Sequence, residues 1–214
     1  MEAPSVERKL AAIFAADVEG YSRLMGRDEV GTLRTLNRYR PIIDPLIASH
    51  RGRIFNTAGD SILADFASAV DAVQCAVAVQ EAVAQENADR PAGEQMRFRI
   101  GLHVGDIIVQ EDNLFGDAVN VAARLEALAE PGGICVSGTV RDQIGTMLPV
   151  SLIDLGEQQV KNIARPVRVY SLITAPTSAP ISVKANVGGP ASQWTVPRLS
   201  IVDLPFANLS NDPD

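Results

Sequence analysis

Two aspartates interrupt apolar runs in this sequence. Asp17 closes residues 10–16 (LAAIFAA), and Asp60 sits between 53–55 and 61–66 in RIFNTAGDSILADF. An unpaired carboxylate beside apolar strands is costly, so each needs a partner or a task. A lone aspartate after a strand commonly caps a turn. Two brought to one sheet edge repel, and both stay ionised only with cations between them. Hard carboxylate oxygens suit Mg²⁺ or Mn²⁺, which take few protein ligands and complete their shells with water and phosphate oxygens. Two such ions support a displacement at phosphorus, one activating the attacking oxygen and the other steadying the leaving group.

A second constellation is 114–126, LFGDAVNVAARLE. Its spacing predicts a helix whose apolar side is Val121, Leu125 and Leu128, while Asn120 and Arg124, four apart, share the other side. An amide and a guanidinium together can hold a ribose oxygen and the phosphate oxygens that gain charge in a transition state. The same spacing also describes a solvated helix face. Asp117, one turn earlier, serves the helix N-terminus. In 158–170 (QQVKNIARPVRVY), Lys161 falls in a turn, from which it could reach a triphosphate or simply be exposed. His50 ends a helix and His103 lies in a strand, neither with a Cys or His at metal spacing, so no zinc site is assigned. No G-x-x-x-x-G-K-[ST], G-x-G-x-x-G or G-x-S-x-G occurs, which argues against P-loop, Rossmann and α/β-hydrolase chemistry.

Positioning these groups falls to a chain of 214 residues, 46% hydrophobic, enough for one good-sized core. Residues 10–16 read as a strand buried on both faces, although their Ala content also permits a helix. A helix follows with Leu33, Leu36, Ile43 and Ile47 at helical spacing, bent by Pro41 and ended by Gly52. Residues 53–55 and 61–66 form strands joined through Thr57-Ala58-Gly59-Asp60 as a hairpin. Ser68 with Asp71 caps a helix carrying Val70, Val73, Val77 and Val83 on one side. Strands at 96–104 and 107–109, a helix at 117–130 stopped by Pro131-Gly132-Gly133, a strand at 134–136, a short helix from Ser137 and strands at 152–155 and 167–173 complete the pattern. The early order is strand, helix, strand, strand, helix, strand. It predicts an α+β fold: a ferredoxin-like split βαβ antiparallel sheet with helices packed on one face. The first strand and the hairpin are then neighbours, which brings Asp17 and Asp60 to one edge.

Net charge of -7 and a pI near 4.9 exclude a phosphate-backbone footprint, so no nucleic-acid partner is expected. An acidic protein takes a polyanionic substrate only with bound cations. Cys75 and Cys135 lie in apolar runs and read as reduced core thiols. With no signal-peptide h-region and no run of about 18 to 20 apolar residues, the expectation is a cytoplasmic protein without a membrane segment. Residues 1–7 read as a tail and 174–197, rich in Pro, Gly, Ser and Ala, as a linker. Residues 198–214 read as the start of a truncated following unit.

Together the motifs resemble the class III nucleotidyl cyclase catalytic domain, the adenylate/guanylate cyclase family, over residues 8–173. FAADVEGYS is similar to that family's first metal motif, TAGDSILADF to its second and LFGDAVNVAARLE to its transition-state motif; PGGICVS and QVKNIARPVRVY extend the likeness. The resemblance implies that Asp17 and Asp60 bind two Mg²⁺ or Mn²⁺ ions, with the Val18 carbonyl as a further ligand. It implies that Asn120 orients the ribose, Arg124 meets the transferring phosphate and Lys161 the terminal phosphates. The reaction would be attack of the ribose 3′-oxygen on the α-phosphorus of ATP, or of GTP, in a head-to-tail homodimer whose subunits share each site. The positions that read the base hold Asn56 and Asn113, and an Asn offers both a donor and an acceptor, so either purine edge suits it. Asp106 stands where some members place a phosphate-binding Arg. Residues 198–214 resemble the opening of a TPR-type module, which implies a regulatory partner domain. The alternative is a weakly active or inactive cyclase-homology domain acting as a dimerising regulatory module.

Overall fold

In the computed structural model, which describes residues 7–110, 113–159, 163 and 165–173, the apolar run 10–16 lies inside strand β1 (Glu7–Val18). Helices α1 (Tyr21–Arg27) and α2 (Glu29–Ser49) follow, then the hairpin β2 (Arg53–Asn56) and β3 (Ile62–Phe66), helix α3 (Ala69–Ala88) and strand β4 (Phe98–Gln110). Beyond them come β5 (Asn113–Phe115), α4 (Asp117–Leu128), β6 (Ile134–Ser137), α5 (Gly138–Ile144), β7 (Ser151–Gln158) and β8 (Val167–Ile173). The sheet order is β2-β3-β1-β4-β6-β8-β7, with β5 paired to β4 off that path. Its first four strands are antiparallel neighbours in the ferredoxin-like split βαβ order. The sheet as a whole is mixed, because β6 continues it in parallel with β4.

Helices cover both faces of the sheet, not one. Ala12, Phe14 and Ala16 of β1 pack into the core shared with α2 and α3, whereas Ala11, Ile13 and Ala15 pack with Ala118 and Ala122 of α4. Every residue from 11 to 16 is 3% exposed or less. A strand with alternating solvated residues could not read as a continuous apolar run. α4 approaches β4 closely at Gly101, where a Cβ would meet the Ala122 carbonyl oxygen and the Glu126 nitrogen, each at 2.2 Å.

Other elements differ from expectation in detail. The two strands expected at 96–104 and 107–109 are one strand, since Gly105 and Asp106 keep their places opposite Ala11 and Leu10 of the long β1. α1 and β5 have too few residues to show a period. Leu33 is 41% and Leu128 44% exposed, both outside the apolar sides expected for them. α2 buries the stripe Thr32, Leu36, Tyr39, Ile43 and Ile47, and Leu33 falls one position beside it. α2 also runs unbroken through Pro41 and Pro45, held by the fully buried Tyr39, Ile43 and Ile47. Its N-cap is Asp28, which accepts from the Gly31 N–H at 2.9 Å. Ser68 caps α3 through the Asp71 N–H, as expected.

Two polar anchors fix the start of β4. Buried Gln80 of α3 donates from Nε2 to the carbonyls of Phe98 (2.9 Å) and Gly133 (3.0 Å). The Tyr39 hydroxyl donates to Asn87 Oδ1 at 2.6 Å, and Asn87 Nδ2 donates to the Met96 carbonyl at 2.8 Å. Buried groups bonded in this way cannot move without leaving a donor or acceptor unpaired.

Candidate active site

Asp17 ends β1 and Asp60 lies in the turn before β3. The antiparallel register that pairs Ala16 with Ile62 sets that turn beside the end of β1, and Gly59 supplies its left-handed backbone (φ 61°). The Val18 N–H donates to Asp60 Oδ2 at 2.9 Å, tying turn to strand end. Burial holds the Asp60 carboxyl above its ordinary range, with the Val18 bond pulling it down and the Asp17 charge pushing it up. Directly across the β1–β4 ladder from Asp17 stands Arg99. Its Nε meets Asp17 Oδ1 at 2.9 Å and its Nη2 meets Oδ2 at 2.5 Å, a bidentate pair. The same Nη2 lies 3.3 Å from Oε1 of Glu126 on α4. Burial, and then the charge of Asp17, hold the Glu126 carboxyl well above the usual carboxylate range.

Asn120 and Arg124 are both exposed on α4, on the side turned away from the buried Val121, Ala122 and Leu125. Within the chain no hydrogen bond or ion pair among the described residues joins them to Asp17 or Asp60. Asn56 is exposed at the end of β2, where the ladder with β3 shifts register after Ile54. Asn113 is exposed at the start of β5, and β5 lies against β2, so the two asparagines sit on neighbouring strands. Lys161 and the segment 174–214 lie outside the described residues. Among the described residues no three His, Cys, Asp or Glu side chains form a metal-holding group. A cation at the strand end therefore has two carboxylates and must draw its other ligands from backbone carbonyl, water or phosphate. That all-oxygen set is one Mg²⁺ or Mn²⁺ accepts, and the residues present fit the ion.

Residues 4–174 match the family described as the adenylate and guanylate cyclase catalytic domain. The chain belongs to this family. It is 41% identical over its full length to "Putative adenylate cyclase 3" of Rhizobium meliloti, of which it spans 36%. The adenylate/guanylate cyclase/hydrolase structure from Silicibacter pomeroyi is 48% identical and superposes with a TM-score of 0.75, covering 79% of this chain and 99% of that one. The adenylyl cyclase CyaB from P. aeruginosa, 23% identical, shares the fold with a TM-score of 0.70 over 82% of this chain and 100% of that one.

Two residues of this cyclase domain escaped the sequence reading. Arg99 is a charged residue inside the apolar strand RFRIGLHV, and Glu126 falls four residues after Ala122 on the buried side of α4. A charge at an apolar-face position was the available signal, since such a charge requires a buried partner. Which partner depends on the β1–β4 register. No helix among the described residues is long and apolar enough to cross a membrane.

Proposed function

We propose that the chain is a nucleotidyl cyclase that converts ATP, in preference to GTP, into the 3′,5′-cyclic nucleotide and pyrophosphate in the cytoplasm. The observation that carries this reading is the meeting of Asp17 and Asp60 at one strand end of a cyclase-family sheet. Asp17, Asp60 and the Val18 carbonyl hold the Mg²⁺ or Mn²⁺ ions, which when bound lower the charge barrier at phosphorus and the pKa of the attacking hydroxyl. The 3′-hydroxyl gives up its proton to solvent water, its oxygen bonds to the α-phosphorus, and the bond to the bridging oxygen breaks to release pyrophosphate. Asn120 orients the ribose, Arg124 takes up charge on the transferring phosphoryl group, and Lys161 holds the terminal phosphates. Asn56 and Asn113 meet the base.

Asn120 and Arg124 lie on the exposed side of α4, and no hydrogen bond or ion pair among the described residues joins them to the carboxylates of their own chain, which favours completion of each site by a second copy in a head-to-tail homodimer. Residues 198–214 open a TPR-type regulatory module on this reading. One observation favours the second reading, a weakly active regulatory module: Arg99 occupies both oxygens of Asp17.

Incubating the purified protein with ATP or GTP and Mn²⁺, and assaying cyclic nucleotide and pyrophosphate, decides between them. Product should form and fall by about 10²-fold or more in Asp60→Ala and in Arg124→Ala. No product with either nucleotide, at concentrations where the dimer is shown to form, overturns the enzyme reading.

A further inference from the structure

Asp17, Arg99 and Glu126 bring together the end of β1, the start of β4 and the last turns of α4. Arg99 forks across both oxygens of Asp17, at 2.9 and 2.5 Å, and reaches Glu126 at 3.3 Å through the nitrogen it already gives to Asp17. The three side chains are 24% (Arg99), 20% (Asp17) and 11% (Glu126) exposed, so little water stands in for a lost partner. A planar guanidinium with five donors can pass between two adjacent carboxyl groups by a small movement while keeping an acceptor throughout. A divalent ion at Asp17 needs the oxygens that Arg99 holds.

We propose that Arg99 is a positioning residue that competes with the divalent cation for Asp17, and that Glu126 receives its guanidinium when the cation takes Asp17. The inference rests on Asp17 being a metal ligand. Arg99 keeps both oxygens of Asp17 aimed before the ion arrives, at the expense of weaker ion binding. Glu126 offsets that expense, because its oxygen gives the displaced guanidinium a partner. Glu126 lies two residues beyond Arg124 and six beyond Asn120 on α4, so the exchange links ion occupancy at the strand end to the helix carrying the ribose and phosphate groups. In a head-to-tail dimer those groups serve the other composite site, and Arg99 then couples the two sites through one subunit.

The test is Mn²⁺ alone added to the full chain and to Arg99→Gln, Arg99→Lys and Glu126→Gln, with free Mn²⁺ followed by its electron paramagnetic resonance signal and folding checked by circular dichroism. Removing the competing cation in Arg99→Gln should tighten Mn²⁺ binding roughly tenfold, and denying its alternative acceptor a negative charge in Glu126→Gln should weaken it roughly tenfold. Arg99→Lys, a point charge that cannot fork both oxygens, should fall between the unaltered chain and Arg99→Gln. If Arg99→Gln does not fold, the opposite signs of Arg99→Lys and Glu126→Gln decide the matter. Shifts in the same direction, or none, overturn the competition. An unaltered chain that takes up no Mn²⁺ removes the metal reading of Asp17 together with this inference; unmoved variants of a chain that binds Mn²⁺ remove the inference alone.

Discussion

His103 shows how a single side chain carries the cost of its surroundings. It stands on β4 opposite Ile13, near Thr139, whose Oγ1 is 3.5 Å from its Nδ1. Burial pushes its imidazole down to about 4, from an ordinary value of 6.5. Between those two pH values the unfolded chain binds a proton that the folded chain refuses, so stability is intact above about pH 6.5 and falls as the solution is acidified toward pH 4. The slope from this residue is at most about 1.4 kcal/mol per pH unit. Urea unfolding of His103→Gln at pH 7, 6, 5 and 4.5 should show a flatter loss than the unaltered chain. Parallel curves would show that His103 titrates normally. His103 was legible in the sequence as a strand residue without metal partners, but its burial depends on what packs over it. Asp17 and Asp60 were legible as candidates for the same reason that they are exceptions: a charge ending an apolar run needs a partner.

At the scale of elements, α4 is the piece whose position matters most. Its backbone rests on Gly101, where any side chain would collide with the Ala122 carbonyl and the Glu126 amide. Gly101→Ala should therefore lift α4 from the sheet and lower stability by about 3 kcal/mol, with a loss of the proposed cyclase activity as Asn120 and Arg124 shift. Gly93→Ala is the control: nothing lies within 4 Å of its added Cβ, and its change should stay within about 0.5 kcal/mol. Equal urea midpoints for the two variants would contradict the close packing. The hairpin and the Ser68 cap were legible because turns and caps are local chemistry. The face that α4 covers was misjudged, although the unbroken run 10–16 already required cover on both sides of β1. The single long β4 was misjudged as well, since its continuity comes from pairing with β1 rather than from its own residues.

For the whole molecule, the proposed site has its halves on different elements of one subunit, and among the described residues no hydrogen bond or ion pair joins them. Mixing equal amounts of Asp60→Ala and Arg124→Ala should restore about a quarter of the unaltered activity, because half of randomly formed dimers are mixed and each has one intact site of two. No recovery, with mixed dimers demonstrated by differential tagging, counts against sites shared between subunits. The acidic balance of the chain, net -7, fits a protein that meets polyphosphate through cations. The longer helices and the hairpin, the turn bearing Asp60, the helix presenting Asn120 with Arg124 and the family itself could all be read along the chain, because periodicity, caps and motif spacing act over a few residues. The meeting of Asp17 with Asp60, the pairing of Asp17 with Arg99 and the reach of Arg99 to Glu126 arise only from strand register and helix placement. Those are long-range choices, settled when distant segments bury their apolar faces together, and no spacing within a motif encodes them.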